Sequence, residues 1–111
     1  MSDEIKKSLT DILDSIQIMD EYLGKKRNFN DYERNRQLRD AIERRLEIIG
    51  EATNRILKID PAISITHSRR IVDLRNRVIH AYDTVDNVTI WAVVVNDLPT
   101  LEIEVRELLN S

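Results

Sequence analysis

Apolar residues recur along the chain at intervals of three and four, which is the spacing of an amphipathic α-helix. The first such stripe follows Ser2 and Asp3, either of which can cap a helix, and it stops before Gly24, a residue typical of helix C-termini. The members of the stripe are Ile5, Leu9, Ile12, Ile16, Met19 and Leu23. This pattern predicts a first helix with one buried face.

A longer pattern predicts a second helix over about residues 31–57, after a connector with the sequence KKRNFN and with Asn30 as the cap. One row of this helix comprises Leu38, Ile42, Leu46, Ile49, Thr53 and Ile56, and a row beside it comprises Ala41, Ile48 and Ala52. Two apolar rows indicate several packing neighbours. Gly50 costs about 1 kcal/mol relative to alanine in a helix, so we expect either close approach of another backbone or a local kink there.

Two further helices are predicted after Pro61, which disfavours helix at the residue before it. The third covers about residues 67–82, and the fourth begins near Val88 with Asp86 or Asn87 as its cap. Pro99 predicts a kink or a split in the fourth helix, because proline removes a hydrogen bond from a helix interior. The apolar residues of the fourth helix are Trp91, Val94, Val95, Leu98, Leu101, Val105 and Leu108. Together the patterns predict an all-α fold, an antiparallel up-and-down bundle of four main helices.

Composition narrows the class of protein. The 111 residues favour a single domain over residues 1–111, and only two glycines and two prolines favour helix. The absence of cysteine excludes disulfides and thiolate metal sites, and the two histidines lie too far apart in sequence to suggest a zinc site. The N-terminus lacks an apolar signal core, and no apolar run approaches about 18 residues, so we expect a soluble cytoplasmic protein without a membrane partner.

The segment LRNRVIHAYD, residues 74–83, concentrates cations, an imidazole and a phenol in an otherwise acidic chain. The net charge of −3 does not by itself favour nucleic-acid binding. Local charge governs phosphate binding more than the total does. The surrounding run HSRRIVDLRNRVIH carries Arg69, Arg70, Arg75 and Arg77 against Asp73 alone, so the segment can attract phosphate.

A helical wheel divides this segment into two faces. The core stripe comprises Ile71, Leu74, Val78, Ala81 and Tyr82, and a second patch comprises Arg75, Asn76, Ile79 and His80. His80 lies opposite the core stripe, so it is not expected to be a structural core histidine, and the ordinary alternative is a solvated surface residue. The apolar Ile79 within the polar patch indicates a contact surface instead.

The residue types in this patch suit cleavage of RNA without a metal or cofactor. The guanidinium of Arg75 can bind a phosphate in a bidentate manner, and the imidazole of His80 can exchange a proton near neutral pH. One imidazole would deprotonate the 2′-hydroxyl, and arginine would stabilise the charge at phosphorus. An acid must also protonate the leaving 5′-oxygen. Because one chain has only one well-placed histidine, we predict a homodimer with a composite site at its interface.

The sequence RNRVIHAY resembles the Arg-x-x-x-x-His-x-Tyr motif of HEPN-domain ribonuclease toxins of the HepT type. A polar residue directly after the arginine, here Asn76, is typical of that family. The segments IGEATNRIL and VDNVTIWAVVVNDLP also resemble family segments at the expected positions. The resemblance covers nearly the whole chain, and it implies a helical bundle that dimerises through the motif face.

The resemblance assigns the catalytic roles to Arg75 and His80. It also implies a type VII toxin–antitoxin system, in which an MntA-type nucleotidyltransferase antitoxin transfers AMP from ATP to Tyr82. The added phosphates would block the RNA site by charge and bulk. The wheel also predicts core packing for Tyr82, and both roles can coexist. Arg77 is expected either to contact the RNA backbone or to be solvated.

Several other residues have a structural role as their first interpretation. Glu51 is expected to be solvated or structural rather than to face the cleft of the proposed RNA site. Trp91 is expected to lie in the core rather than to stack on a base. Asp83 and Asp86 are predicted caps of the fourth helix, and His67 the start of the third. Two other functions remain open, a catalytically inactive module that docks a nucleotidyltransferase and a plain structural bundle.

Overall fold

The computed structural model describes residues 1–79 and 86–111, and these residues are helical with short connections. The α-helices are α1 (Asp3–Leu23), α2 (Phe29–Arg34), α3 (Arg36–Ile59), α4 (Ser68–Ile79), α5 (Asn87–Ala92) and α6 (Leu98–Leu109). A π-helical turn, Val93–Asp97, joins α5 to α6 without a break. The predicted all-α helical bundle is confirmed, whereas the dimer remains a prediction.

The predicted first helix is confirmed at both ends. The Ser2 hydroxyl accepts a hydrogen bond from the backbone N–H of Ile5 at 3.1 Å, which satisfies one of the free donors of the first turn. Gly24 ends the helix with φ of 66°, a left-handed value that residues with a Cβ rarely adopt. The predicted stripe is buried, except that Leu23 is half-buried.

The predicted second helix is wrong at its start. A short helix, α2, begins two residues earlier than expected, so that Asn30 lies inside it, and it ends at Arg34, where one continuous helix was predicted. The caps are Asn28, which accepts from the N–H of Asp31, and Asn35, which accepts from the N–H of Leu38. Each asparagine in this region could cap a helix locally, and the structure uses two of them to turn the chain between α2 and α3.

Helix α3 packs against α1, α4 and α2, which explains its two apolar rows. In the first row Leu38 is half-buried and the other members are buried; in the second, Ala52 is buried, and Ala41 and Ile48 are half-buried. Helix α6 packs on α1. Full burial of each isoleucine or leucine contributes about 1.5–3 kcal/mol, so this core is the main source of stability.

An aromatic cluster packs α2 against α5. The ring of Trp91 lies 5.0 Å from that of Tyr32 and 6.1 Å from that of Phe29, measured between centroids. This confirms the predicted core role of Trp91. The Tyr32 hydroxyl is buried without a hydrogen-bond partner among the described residues, and burial raises its pKa to about 12.

The predicted interruption at Pro99 takes the form of a π-turn. Proline has no N–H, and its ring crowds the carbonyl four residues earlier, so a regular α-helix cannot pass through Pro99 undistorted. The chain widens over Val93–Asp97, and the N–H of Leu98 bonds to the carbonyl of Val93 five residues back. Pro99 then sits in the first turn of α6, where a missing N–H is tolerated.

None of the helices within residues 1–79 and 86–111 has both the length and the apolar character needed to cross a lipid bilayer.

Candidate functional site

Helix α4 carries the described part of the motif and is fixed at its N-terminal end. The carbonyl of His67 accepts the N–H of Ile71 at 3.0 Å, so His67 marks the start of the helix, as predicted. Just before it, both carboxylate oxygens of Glu104 on α6 accept the N–H of Thr66, and one also accepts its hydroxyl at 2.7 Å. These bonds attach the loop before α4 to α6.

Gly50 is a point of close contact between α3 and α4. A Cβ on Gly50 would overlap the Cβ of Arg75 and lie 2.7 Å from its Cγ and 3.3 Å from the carbonyl oxygen of Ile71. Glycine is therefore required for close approach, which confirms the first of the two explanations offered by the sequence. The contact brings the stem of Arg75 directly onto the backbone of α3.

Arg75 is half-buried, and its charge is not compensated by a carboxylate in the described part of the chain. Its Nη1 donates to the Oδ1 of Asn76 at 2.9 Å, which orients the guanidinium. Its Nε is buried and has no hydrogen-bond partner among the described residues. A guanidinium with unused donors and no counter-ion can bind an anion such as a phosphate.

The supporting candidates lie on the same helix. Asn76 is half-buried beside Arg75, whereas Arg77 is exposed. Arg77 borders a cleft of about 370 Å³ between α4 and the segment formed by α5 and the π-turn. The structure thus places Asn76 in contact with the candidate catalytic arginine and Arg77 on an open surface.

His80 and Tyr82 lie outside the described residues, as do Ala81 and Asp83. Helix α4 is described up to Ile79, the residue directly before His80. The roles assigned to His80 and Tyr82 therefore remain predictions. The core stripe of this helix is confirmed for Ile71 and Leu74, which are buried, and Val78 packs against the core.

Two of the carboxylates considered from the sequence have structural contacts. Glu51 is exposed and pairs with Arg55 at 3.4 Å, and Arg55 also pairs with Asp11 of α1 at 3.5 Å. Asp86 caps α5 by accepting the N–H of Thr89 at 2.7 Å, and this hydrogen bond lowers the pKa of Asp86. Both observations agree with the structural interpretation of these residues.

Asp97 is a further buried carboxylate, and it is not among the candidate residues predicted from the sequence. This carboxylate is only 4% exposed, and its Oδ2 lies 3.1 Å from the Nε of Arg70 on α4. The sequence feature that could have indicated a buried carboxylate is an acidic residue in a predominantly apolar segment, VVVNDLP. Its partner could not be read from that pattern. Within the described ranges, no group of three or more potential metal ligands comes together.

The sequence of the chain is similar to those of known proteins of one family. The model of the family described as ribonuclease HepT-like matches residues 12–108. The chain is 35% identical over 105 residues to a candidate RNase of Methanocaldococcus jannaschii, covering 93% of this chain and 94% of that protein. It is 33% identical over 101 residues to a protein of Thermococcus cleftensis named probable ribonuclease HepT, covering 87% and 88% of the two chains.

Another protein of Methanocaldococcus jannaschii is 31% identical over 112 residues that include the whole of this chain. Its name combines a gamma-glutamylcyclotransferase with a candidate RNase, and the match spans 50% of its length. No solved structure matches the chain significantly.

We predict that Gly50→Ala destabilises the protein although alanine is the better helix former. The gain in helix propensity is about 1 kcal/mol, whereas overlap with the stem of Arg75 should cost about 1–3 kcal/mol beyond it. Urea unfolding followed by circular dichroism measures the difference. Lys58→Ala, an exposed position on α3, serves as the control and should change stability by less than about 0.5 kcal/mol. Wild-type stability of Gly50→Ala would contradict the close approach.

Proposed function

Because the chain belongs to the ribonuclease HepT-like family, we propose that it is an endoribonuclease toxin whose site is built on α4. The observation that carries this proposal is the environment of Arg75. The residue is half-buried, and its guanidinium has no carboxylate partner among the described residues and has Asn76 as its described hydrogen-bond partner. Its location, five residues before His80, matches the motif of the family. A family of ribonucleases requires an anion site for the scissile phosphate, and Arg75 supplies one.

The proposed reaction is metal-independent transfer at phosphorus. The imidazole of His80 removes the proton from the 2′-hydroxyl, and that oxygen forms a bond to phosphorus while the bond to the 5′-oxygen breaks. Arg75 stabilises the additional negative charge of the phosphorane, with Asn76 holding its guanidinium in place. The leaving 5′-oxygen takes a proton from a second imidazole, which we assign to the His80 of a second copy of the chain.

The activity test uses purified protein, total cellular RNA and an excess of EDTA. We expect cleavage to persist in EDTA, and His80→Ala and Arg75→Ala each to abolish it, because each removes a group that acts on the reacting atoms. A substrate with a 2′-deoxy nucleotide at the scissile position should resist cleavage, since it lacks the attacking oxygen. Arg106→Ala, which removes an exposed arginine from α6, is the charge-matched control and should cleave normally.

Full activity of His80→Ala would contradict the assigned mechanism. Absence of cleavage by the wild type on every RNA tested would favour the alternative function, an inactive module that docks a nucleotidyltransferase. Expression in cells provides the same distinction, since a toxin should arrest growth and the Arg75→Ala variant should not.

We propose that the active form is a homodimer with one shared site. If each dimer needs both imidazoles, an equal mixture of wild-type and His80→Ala subunits should retain about a quarter of the activity after subunit exchange, whereas independent sites would retain about half. Light scattering should give the mass of a dimer at micromolar concentration. A strict monomer with full activity would rule out the composite site.

The proposed regulation is modification of Tyr82 by an MntA-type nucleotidyltransferase. In this reaction the phenolic oxygen bonds to the α-phosphorus of ATP, pyrophosphate leaves, and the AMP group adds negative charge next to the motif. Incubation with such a partner and ATP should add AMP to the peptide that contains Tyr82, as seen by mass spectrometry. Tyr82→Phe should stay unmodified and remain toxic when the partner is present. Modification of Tyr82→Phe to the same extent would exclude this site.

A further inference from the structure

We infer that Asp97 and Arg70 are a positioning pair that fixes α4 relative to the π-turn between α5 and α6, and thereby sets the location of the Arg75 guanidinium. The inference about position rests on the structure alone, and its catalytic consequence rests on the proposed ribonuclease function. Neither residue belongs to the motif: Arg70 lies on α4, which carries the described part of the motif, and Asp97 lies on the π-turn opposite.

The burial of Asp97 requires an explanation. The carboxylate is 4% exposed, and its Oδ2 is fully buried yet accepts no hydrogen bond from the described residues. Its charge is balanced by the guanidinium of Arg70, whose Nε lies 3.1 Å away at an angle that does not form a hydrogen bond. A buried carboxylate is costly unless it is paired, so Asp97 and Arg70 are energetically coupled.

This pair crosses a gap between helices. The cleft of about 370 Å³ separates α4 from the segment of α5 and the π-turn, and it is lined by Arg70, Asp73, Leu74, Arg77, Thr89 and Val93. Side chains across such a gap do not interlock as they do in a close-packed core. The ion pair at its edge is therefore a direct link between α4 and the last helix in this region.

The π-turn determines which residue reaches α4. A π-turn holds more residues per turn than an α-helix, so it shifts the register of the residues at its end. Asp97 is the last residue of that turn. The distortion associated with Pro99 thus coincides with the placement of a charged group against α4.

The pair acts together with two other attachments of α4. Glu104 holds Thr66 just before the helix, and Gly50 receives the stem of Arg75 in its second half. Arg70 lies between them, five residues or about 7.5 Å along the axis from Arg75. A helix attached at these two points can still rotate about its own axis, and a shift of about 1 Å in a catalytic group can reduce a rate about 100-fold.

The test is a double-mutant cycle with Arg70→Gln, Asp97→Asn and the combined variant, together with Arg70→Lys as the conservative change. Steady-state cleavage gives kcat and KM, and hydrogen exchange reports on the amides of residues 71–79. The control is Arg55→Gln, which removes one ion pair that links α3 to α1 and one within α3, neither of which involves α4.

Each single variant should lower kcat about 10- to 100-fold with KM changed less than about twofold. The combined variant should be no worse than either single variant, because all three remove the same pair. Arg70→Lys should retain most of the wild-type activity, since it keeps the positive charge beside Asp97. Amide exchange in residues 71–79 should accelerate in Arg70→Gln and Asp97→Asn and stay at the wild-type rate in Arg55→Gln.

Additive losses of kcat in the combined variant would contradict the positioning role of the pair, and so would an equal loss of kcat in Arg55→Gln. A rise in KM confined to Arg70→Gln would instead make Arg70 an RNA contact. If the wild type cleaves no RNA, the ribonuclease proposal fails, and amide exchange alone still judges the pair. Unchanged exchange along α4 in Asp97→Asn would then reject it.

Discussion

The contact between α3 and α4 at Gly50 is the constraint on which the candidate site depends. Because Gly50 has no side chain, the backbone of α3 receives the stem of Arg75 directly, and Arg75 is half-buried with its Nε shielded from water. Partial burial lowers the local dielectric and strengthens the attraction between a guanidinium and a phosphate. A residue without chemistry of its own thus sets the surroundings of the arginine that is proposed to bind phosphate.

Charge in this protein is organised locally rather than by its total. The chain is acidic, and most carboxylates face water. Many of its arginines pair with carboxylates, namely Arg27, Arg34, Arg44, Arg55, Arg70 and Arg106. Six arginines have no such partner in the described part of the chain, namely Arg36, Arg39, Arg45, Arg69, Arg75 and Arg77. Arg75 differs from the other five in its contact with Gly50, its hydrogen bond to Asn76 and its buried Nε. A count of charges along the sequence cannot separate an arginine that holds two helices together from one that is available to a substrate.

The helices and their buried faces could be predicted because both follow from local spacing. The apolar stripe of α1, the glycine that ends it and the cap formed by Asp86 are properties of a few neighbouring residues, and the structure confirms them. The start of the second helix was wrong for a related reason. Asn28, Asn30 and Asn35 have the same capping chemistry, and packing of α2 through Tyr32 decides which of them is used.

The sequence by itself determined the helical bundle, the family motif and the exceptional position of Gly50 inside a helix, because periodicity and residue type are local facts. Only the tertiary structure decided that Arg75 is the residue at that contact, that the chain widens before Pro99, and that the buried Asp97 pairs with Arg70. The contacts of Arg75 with Gly50 and of Asp97 with Arg70 join residues far apart in the chain. Their energies depend on which group faces which, and that is fixed only when the helices pack.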